Sequence, residues 1–123
     1  MTGATAIYIA LGGAVGALVR FGLVSTVTQL GFYPWGTWIA NVSGSFAIGA
    51  VMGAYGEAAW FEDFGRPLVV VGFLGAFTTF SAFSHDVWNL VGEDRVGMAF
   101  VYVLASVGLS LGAAWTGMRS FGS

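Results

Sequence analysis

The sequence has no cysteine, no lysine and few charged side chains of any kind. The absence of cysteine excludes disulfides, thiolate metal sites and cysteine nucleophiles. Charged residues make up 8% of the 123 residues, whereas a soluble domain carries about a quarter. So few charges cannot cover a soluble surface, and 57% of the residues are hydrophobic. We therefore expect the lipid bilayer to surround most of this chain.

Other features that are missing disfavour further classes of protein. The net charge is −2 and there is no run of basic residues, which gives no indication of nucleic-acid binding. No Ser-His-Asp set, phosphate-binding loop or metal-ligand cluster can be assembled within the apolar stretches, so we do not expect an enzyme. The N-terminus lacks the basic region of a signal peptide, and its apolar stretch is too long for one. We expect a retained membrane helix there.

Charged and turn residues divide the chain into four apolar stretches, each of about 20 residues or more, a length that crosses roughly 30 Å of hydrocarbon. The predicted spans cover residues 4–30, 35–55, 67–91 and 96–118. The third is taken to begin at Pro67, since proline is favoured in a first helical turn. The sequence therefore predicts an all-α, multi-pass membrane protein with one four-helix transmembrane domain over residues 1–123.

The arginines give almost no indication of how these spans are oriented. With four spans, Arg66 and Arg119 fall on one side of the membrane. Arg95 falls on the other side, together with Arg20 if that residue is counted at the end of its span. The positive-inside rule then has almost no charge difference to act on. Two copies of opposite orientation are thus able to pair around a two-fold axis in the membrane plane.

Two of the spans carry polar side chains at every fourth position. They are Thr37, Asn41 and Ser45 in the second span, and Tyr102, Ser106 and Ser110 in the fourth. Residues four apart lie on one helix face, and an unpartnered polar group in hydrocarbon costs several kcal/mol. These stripes must therefore face protein or water. Hydrogen bonds between helices and a conduction path are both compatible with them.

The third span has the least helical composition at its centre. Residues 72–84 read GFLGAFTTFSAFS, with two Gly, two adjacent Thr and two Ser, which are poor residues for a helix interior. We predict a break near residues 75–79. Carbonyls freed there would suit a small hard cation, and freed N–H groups would suit an anion.

The available polar chemistry is neutral at the centre of every span. No acid lies there, since Asp86 is near the end of the third span, whereas a proton-coupled exporter of cations normally needs an intramembrane carboxylate. The remaining donors are hydroxyls, one amide and the positive ring edges of aromatics such as Phe80 and Phe83. Neutral donors replace the water around a small, strongly hydrated anion without trapping it. Simple packing of the two phenylalanines is the alternative.

Four stretches of the chain resemble the Fluc (CrcB-type) fluoride channels, which protect microbes from cytoplasmic fluoride. They are residues 12–21 (GGAVGALVRF), residues 36–46 (GTWIANVSGSF), residues 72–84, and the stripe Tyr102/Ser106/Ser110. The match covers all four spans, in family order and spacing. The TTFSxF stretch, with GTxxxN upstream, is its most specific part.

The resemblance implies an antiparallel, dual-topology homodimer with two fluoride pores. In such channels phenylalanine ring edges line the pore, an asparagine amide donates to the ion, and hydroxyls of the fourth helix form a polar track. The residues that match the pore are Phe80, Phe83, Asn41, Tyr102, Ser106, Ser110, Thr79 and Ser81.

The resemblance also implies a vestibule and a structural sodium ion. Arg20 and Asp86 match the vestibule, and the sodium ion at the dimer centre would be held by the backbone carbonyls of Gly75 and Thr78. Four positions depart from the family pattern: Asp86 stands where glutamate is usual, Ala82 where threonine is usual, and Leu74 and Ala76 where cysteine and glycine are commoner.

The function implied is passive, fluoride-selective export across the cell membrane, with fluoride, the lipid bilayer and a second copy of the chain as partners. Two alternatives stay open. One is a small exporter of the dual-topology multidrug type, for which the intramembrane acid is missing. The other is a non-transporting subunit of a membrane assembly, in which the polar stripes only hold helices together.

Overall fold

The computed structural model describes residues 1–122, and these residues form helices joined by short connections. The helices are α1 (Gly3–Gln29), α2 (Trp35–Tyr55), π1 (Phe61–Leu74), α3 (Gly75–Phe77), α4 (Phe80–Gly92) and α5 (Val96–Phe121). The three pieces π1, α3 and α4 follow one another closely and are referred to here as the third span. No strand is present among residues 1–122.

Three helical segments are long and apolar enough to cross a membrane: Gly3–Gln29, the third span taken as Phe61–Gly92, and Val96–Phe121. Many of their large apolar side chains, such as Leu18, Phe100 and Leu104, are exposed. Hydrocarbon is the solvent in which such a surface is stable. α2 has the length of a span, at 21 residues, but it carries the polar stripe that begins at Thr37.

The helices pack chiefly as two pairs, α1 against π1 and α2 against α5. Glycine allows the backbones of the two helices in each pair to come into contact. A Cβ added at Gly16 would clash with the carbonyl oxygen of Phe73, and one added at Gly49 with that of Ala114. Because lipid gives helices no hydrophobic reason to associate, close backbone contact is a main source of their attraction.

The third span leaves the helical conformation near its centre, as predicted. Thr78 (φ −88°, ψ 154°) and Thr79 (φ −153°, ψ 121°) are both extended. α4 then begins at Phe80, with the Thr79 side chain accepting a hydrogen bond from the Ala82 N–H at 3.1 Å. This is an N-cap, which satisfies one of the N–H groups left free by the first turn. The predicted break at residues 75–79 is therefore confirmed, and it lies at the C-terminal end of that range.

The start of the third span differs from the prediction. The helix begins at Phe61 rather than at Pro67, and Pro67 lies inside it. Glu62 and Asp63 fall in its first turn, where acidic residues are stabilised by the helix dipole. The polarity of this segment suggested a connection, but it forms the N-terminal turns of a helix. The other three helices begin and end within a few residues of their predicted bounds.

We predict that Gly49→Ala lowers the free energy of unfolding by about 1–3 kcal/mol, the usual effect of overpacking, because α2 and α5 must move apart. Gly97 is the matched control, since a Cβ there meets nothing within 4 Å. Gly97→Ala is expected to leave stability unchanged or to raise it slightly. Thermal denaturation of the purified variants in detergent measures both effects. Equal stability of the two variants would contradict the close packing of α2 on α5.

Candidate functional site: a polar cavity beside the helix break

A cavity of about 560 Å³ lies between α2, the third span and α5. Its polar lining consists of Asn41, Ser45, Thr78, Thr79, Ser106 and Ser110, and no charged side chain of residues 1–122 is part of the lining. Phe80 and Phe83 line it on the side of α4, and the remaining lining residues are aliphatic or glycine. One rim is open within a single chain, because Phe80 is 77% exposed. The break in the third span thus faces the polar stripes of both α2 and α5.

Asn41 spans the break with two hydrogen bonds to the same residue. Its Nδ2 donates to the Thr79 carbonyl at 3.0 Å, and its Oδ1 accepts from the Thr79 N–H at 2.8 Å. A side-chain amide here replaces the helical partners that Thr79 lost at the break. Since Nδ2 carries two hydrogens, one remains for a ligand in the cavity.

The first turn of α4 presents backbone donors at the edge of the cavity. The N–H groups of Phe80 and Ser81 donate to no residue in the described range 1–122, whereas that of Ala82 is capped by Thr79. The N-terminus of a 13-residue helix such as α4 also carries a partial positive charge. Together these features favour an anion at this end of the cavity.

Ser106 supplies a second donor from the opposite wall. It is 5% exposed, and its Oγ is buried without a hydrogen-bond partner among residues 1–122. A hydroxyl left in this state is destabilising unless something in the cavity binds to it. Ser110 lies one helical turn further along α5 and also lines the cavity. The two hydroxyls therefore continue the polar surface along α5.

Aromatic rings close the cavity toward the α1–α2 connection. The ring centres of Phe80 and Phe83 are 5.5 Å apart, and those of Phe83 and Tyr102 are 5.4 Å apart. Trp35 meets Tyr102 edge-on at 5.7 Å. Ring edges carry the positive part of the aromatic quadrupole, so rings tilted against one another leave edges available to an anion.

The structure brings together most of the residues predicted for the pore. Those that line the cavity are Phe80, Phe83, Asn41, Thr79, Ser106 and Ser110. Two others lie outside it. Tyr102 is fully buried behind Phe83, and Ser81 is exposed, with its Oγ 3.2 Å from Thr79 Oγ1.

The two residues predicted for the vestibule are bound in different places. Arg20 Nε donates to the Ala76 carbonyl at 2.9 Å, next to the break. Asp86 is held by two tyrosines: Tyr33 Oη donates to Oδ1 at 3.0 Å, and Tyr102 Oη donates to Oδ2 at 2.9 Å. Sequence reasoning missed Tyr33, because a contact across 53 positions leaves no local pattern.

The backbone around the break has features that suit a hard cation. Gly75 and Thr78 both line the cavity, and their carbonyl oxygens accept no hydrogen bond from residues 1–122. Neutral carbonyl oxygens are suitable ligands for such an ion. The Ala76 carbonyl between them is already bound to Arg20. Two carbonyls are too few to complete a coordination shell, so further oxygens would have to come from elsewhere.

Long apolar helices around a cavity that holds neutral polar groups define this chain as a multi-pass membrane protein. It belongs to the CrcB-like family: the family model described as "CrcB-like protein, Camphor Resistance (CrcB)" matches residues 7–118. Three relatives are each named fluoride-specific ion channel FluC.

The similarity to these relatives extends over nearly the whole length of each chain. The protein from Opitutus terrae is 44% identical over 90% of this chain and 87% of its own. The one from Geobacter sulfurreducens is 40% identical over 94% and 95%. The one from Paracidovorax citrulli is 38% identical over 91% and 89%.

We predict that Asn41→Ala lowers the free energy of unfolding by about 2–4 kcal/mol, because it leaves two polar groups of Thr79 without partners. Ser43→Ala is the matched control on the same helix. The Ser43 hydroxyl bonds only to the carbonyls of Ile39 and Ala40 in its own helix, and its loss is expected to cost less than about 0.5 kcal/mol. Unfolding in detergent compares them. Equal losses would show that Asn41 does not hold the break.

Proposed function

We propose that this chain is a fluoride-selective channel that passively exports fluoride across the cell membrane. The observation that carries the proposal is a cavity at membrane depth whose polar groups are all neutral. The names of the relatives support fluoride as the permeating ion. No carboxylate lines the cavity, which disfavours a proton-coupled exporter of cations.

The donors around the cavity suit a small anion that holds its water tightly. The second Nδ2 hydrogen of Asn41, the Ser106 hydroxyl and the N–H groups of Phe80 and Ser81 are able to replace that water one bond at a time. Because none of these donors carries a full charge, the ion also leaves readily. Larger anions are less strongly hydrated, so they gain less when the donors of the cavity replace their water.

A second copy of the chain is needed to complete the path. The open rim at Phe80 would bring a polar cavity into contact with hydrocarbon, which costs several kcal/mol for each unsatisfied group. We propose that an antiparallel partner covers this rim, so that the homodimer holds two pores. The near-equal distribution of arginines supports dual topology. In this assembly α2 also crosses the membrane, shielded from lipid by α5, α1 and the partner.

A sodium ion at the two-fold axis would hold the two breaks together. Gly75 and Thr78 are the residues proposed to bind it, through backbone carbonyls that have no other partner among residues 1–122. Two carbonyls from each copy give a set of neutral oxygens suited to a monovalent cation. The ion's role is structural: it neutralises the carbonyl dipoles where the two broken helices meet.

We predict fast fluoride efflux from liposomes that contain the wild-type protein, with little chloride efflux. Phe80→Ile is expected to reduce fluoride efflux to the level of protein-free liposomes, because Phe80 lines the cavity and isoleucine has no positive ring edge to offer an anion. Ser106→Ala is expected to slow efflux about tenfold, through the loss of one donor to a charged ligand. A fluoride-selective electrode, with a potassium ionophore present, measures the rates.

Phe100→Ile is the control, since Phe100 is 68% exposed on α5 and does not line the cavity. It should conduct as the wild-type does. Equal efflux from all the variants would exclude the cavity as the route that fluoride takes. No fluoride efflux from wild-type protein shown to be a folded dimer would overturn the proposed function.

Replacement of sodium by N-methylglucamine is predicted to weaken the dimer, because an ion bound only by the assembled state stabilises it. The ion stabilises the dimer by about 2.7 kcal/mol when it is present at a hundred times its dissociation constant. Dimer dissociation in detergent, followed by size-exclusion chromatography, measures this. Equal dissociation with and without sodium would exclude a structural ion at the Gly75 and Thr78 carbonyls.

A further inference from the structure

A hydrogen-bonded network outside the cavity holds Asp86, the only buried carboxylate among residues 1–122. Its side chain accepts hydrogen bonds from two different segments. Tyr33, in the connection between α1 and α2, donates to Oδ1 at 3.0 Å, and Tyr102 on α5 donates to Oδ2 at 2.9 Å. The carboxylate thus joins α4 to a connection and to another helix.

Asn89 fixes the direction in which the Tyr33 hydroxyl points. A tyrosine hydroxyl has one hydrogen to donate and also accepts. Asn89 Nδ2 donates to Tyr33 Oη at 2.8 Å, which leaves the tyrosine hydrogen for Asp86. His85 Nδ1 lies 3.4 Å from the same amide nitrogen. Burial raises the pKa of Tyr33 above its ordinary value, and the bond to Asp86 adds to the rise, so Tyr33 keeps its proton.

No cation compensates the charge of Asp86 within the described part of the chain. The ion pairs there are Arg66 with Glu62 and Arg95 with Glu93. A carboxylate in poorly solvated surroundings strongly repels another anion. Its position therefore matters for any anion that passes along α5.

Asp86 is connected to the cavity wall through Tyr102, which is bonded to the carboxylate and packs behind Phe83 of the lining. Tyr102 lies one helical turn from Ser106, whose buried hydroxyl has no partner among residues 1–122. Without the Tyr33 donor, Asp86 keeps only the hydrogen bond from Tyr102, and the Ser106 hydroxyl, one turn further along α5, is the unpartnered donor toward which it would turn. The carboxylate would then occupy a donor that the anion uses and would bring a negative charge into the cavity.

We propose that Tyr33 is a positioning residue for conduction: its hydroxyl, oriented by Asn89, holds Asp86 away from the fluoride path. The inference rests on the proposed function, since it concerns the rate at which the same cavity passes fluoride. Tyr33 touches neither the cavity nor the ion, and it acts only through the carboxylate.

The test compares fluoride efflux from liposomes for four proteins besides the wild type: Tyr33→Phe, Asp86→Asn, the double variant, and Tyr55→Phe as the matched control. Tyr33→Phe is expected to slow efflux about tenfold, the size of one lost hydrogen bond to a charged group. Asp86→Asn removes the charge and should still conduct. In that background Tyr33→Phe should change the rate by less than about twofold. Tyr55, at the end of α2, makes no side-chain hydrogen bond within residues 1–122, and Tyr55→Phe should behave as the wild type.

The outcomes separate this inference from the proposed function. An equal slowing by Tyr33→Phe with and without the Asp86 charge would show a merely structural role and overturn the inference. Normal efflux from Tyr33→Phe would also overturn it. Loss of efflux in Asp86→Asn would do the same, since conduction would then require the Asp86 charge. If Tyr33→Phe does not fold, Asn89→Ala takes its place and is expected to slow efflux in the same charge-dependent way. A folded wild-type dimer without fluoride efflux would overturn the proposed function itself.

Discussion

A helix interrupted within hydrocarbon must find new partners for its backbone, and this requirement organises the rest of the structure. At Thr79 the partners are the two polar ends of the Asn41 side chain, and at Ala82 the partner is the Thr79 hydroxyl. These bonds satisfy only part of the break. The N–H groups at the start of α4 and the carbonyls of Gly75 and Thr78 stay open, so one interruption provides donors on one side and acceptors on the other.

The charged side chains near the break are bound, and this keeps the cavity neutral. Arg20 lies at the carbonyl end of α3 through its bond to Ala76, where a cation is stabilised by the helix dipole. Asp86 is held by two hydroxyls beyond Phe83 and Tyr102. A full positive charge in the cavity would bind an anion too tightly to release it, and a full negative charge would repel it. The arrangement leaves only dipoles to interact with a passing ion.

Features that depend on neighbouring residues could be predicted from the sequence, and features that depend on distant contacts could not. The lengths of the apolar stretches predicted the bounds of three helices closely, and the adjacent threonines and the glycines predicted the position of the break. The start of π1 was missed, because polarity between residues 57 and 66 was taken to indicate a connection. The residues around the cavity were anticipated from helical spacing and from the family resemblance. The bonds from Tyr33 and Arg20 cross more than fifty positions, and nothing in the nearby sequence encodes them.

The two helix pairs are interleaved along the chain, and this has a consequence for biosynthesis. α1 packs mainly on π1, and α2 mainly on α5, so neither α1 nor α2 finds its main partner in the helix that directly follows it. During translation α2 therefore enters the membrane with its polar stripe uncovered, and it waits for the last helix to be made. Until then the translocation machinery or residual water must shield Thr37 and Asn41. The α1–π1 pair is able to form earlier, but the α2–α5 pair, which covers the polar stripe of α2, forms only after α5 has left the ribosome.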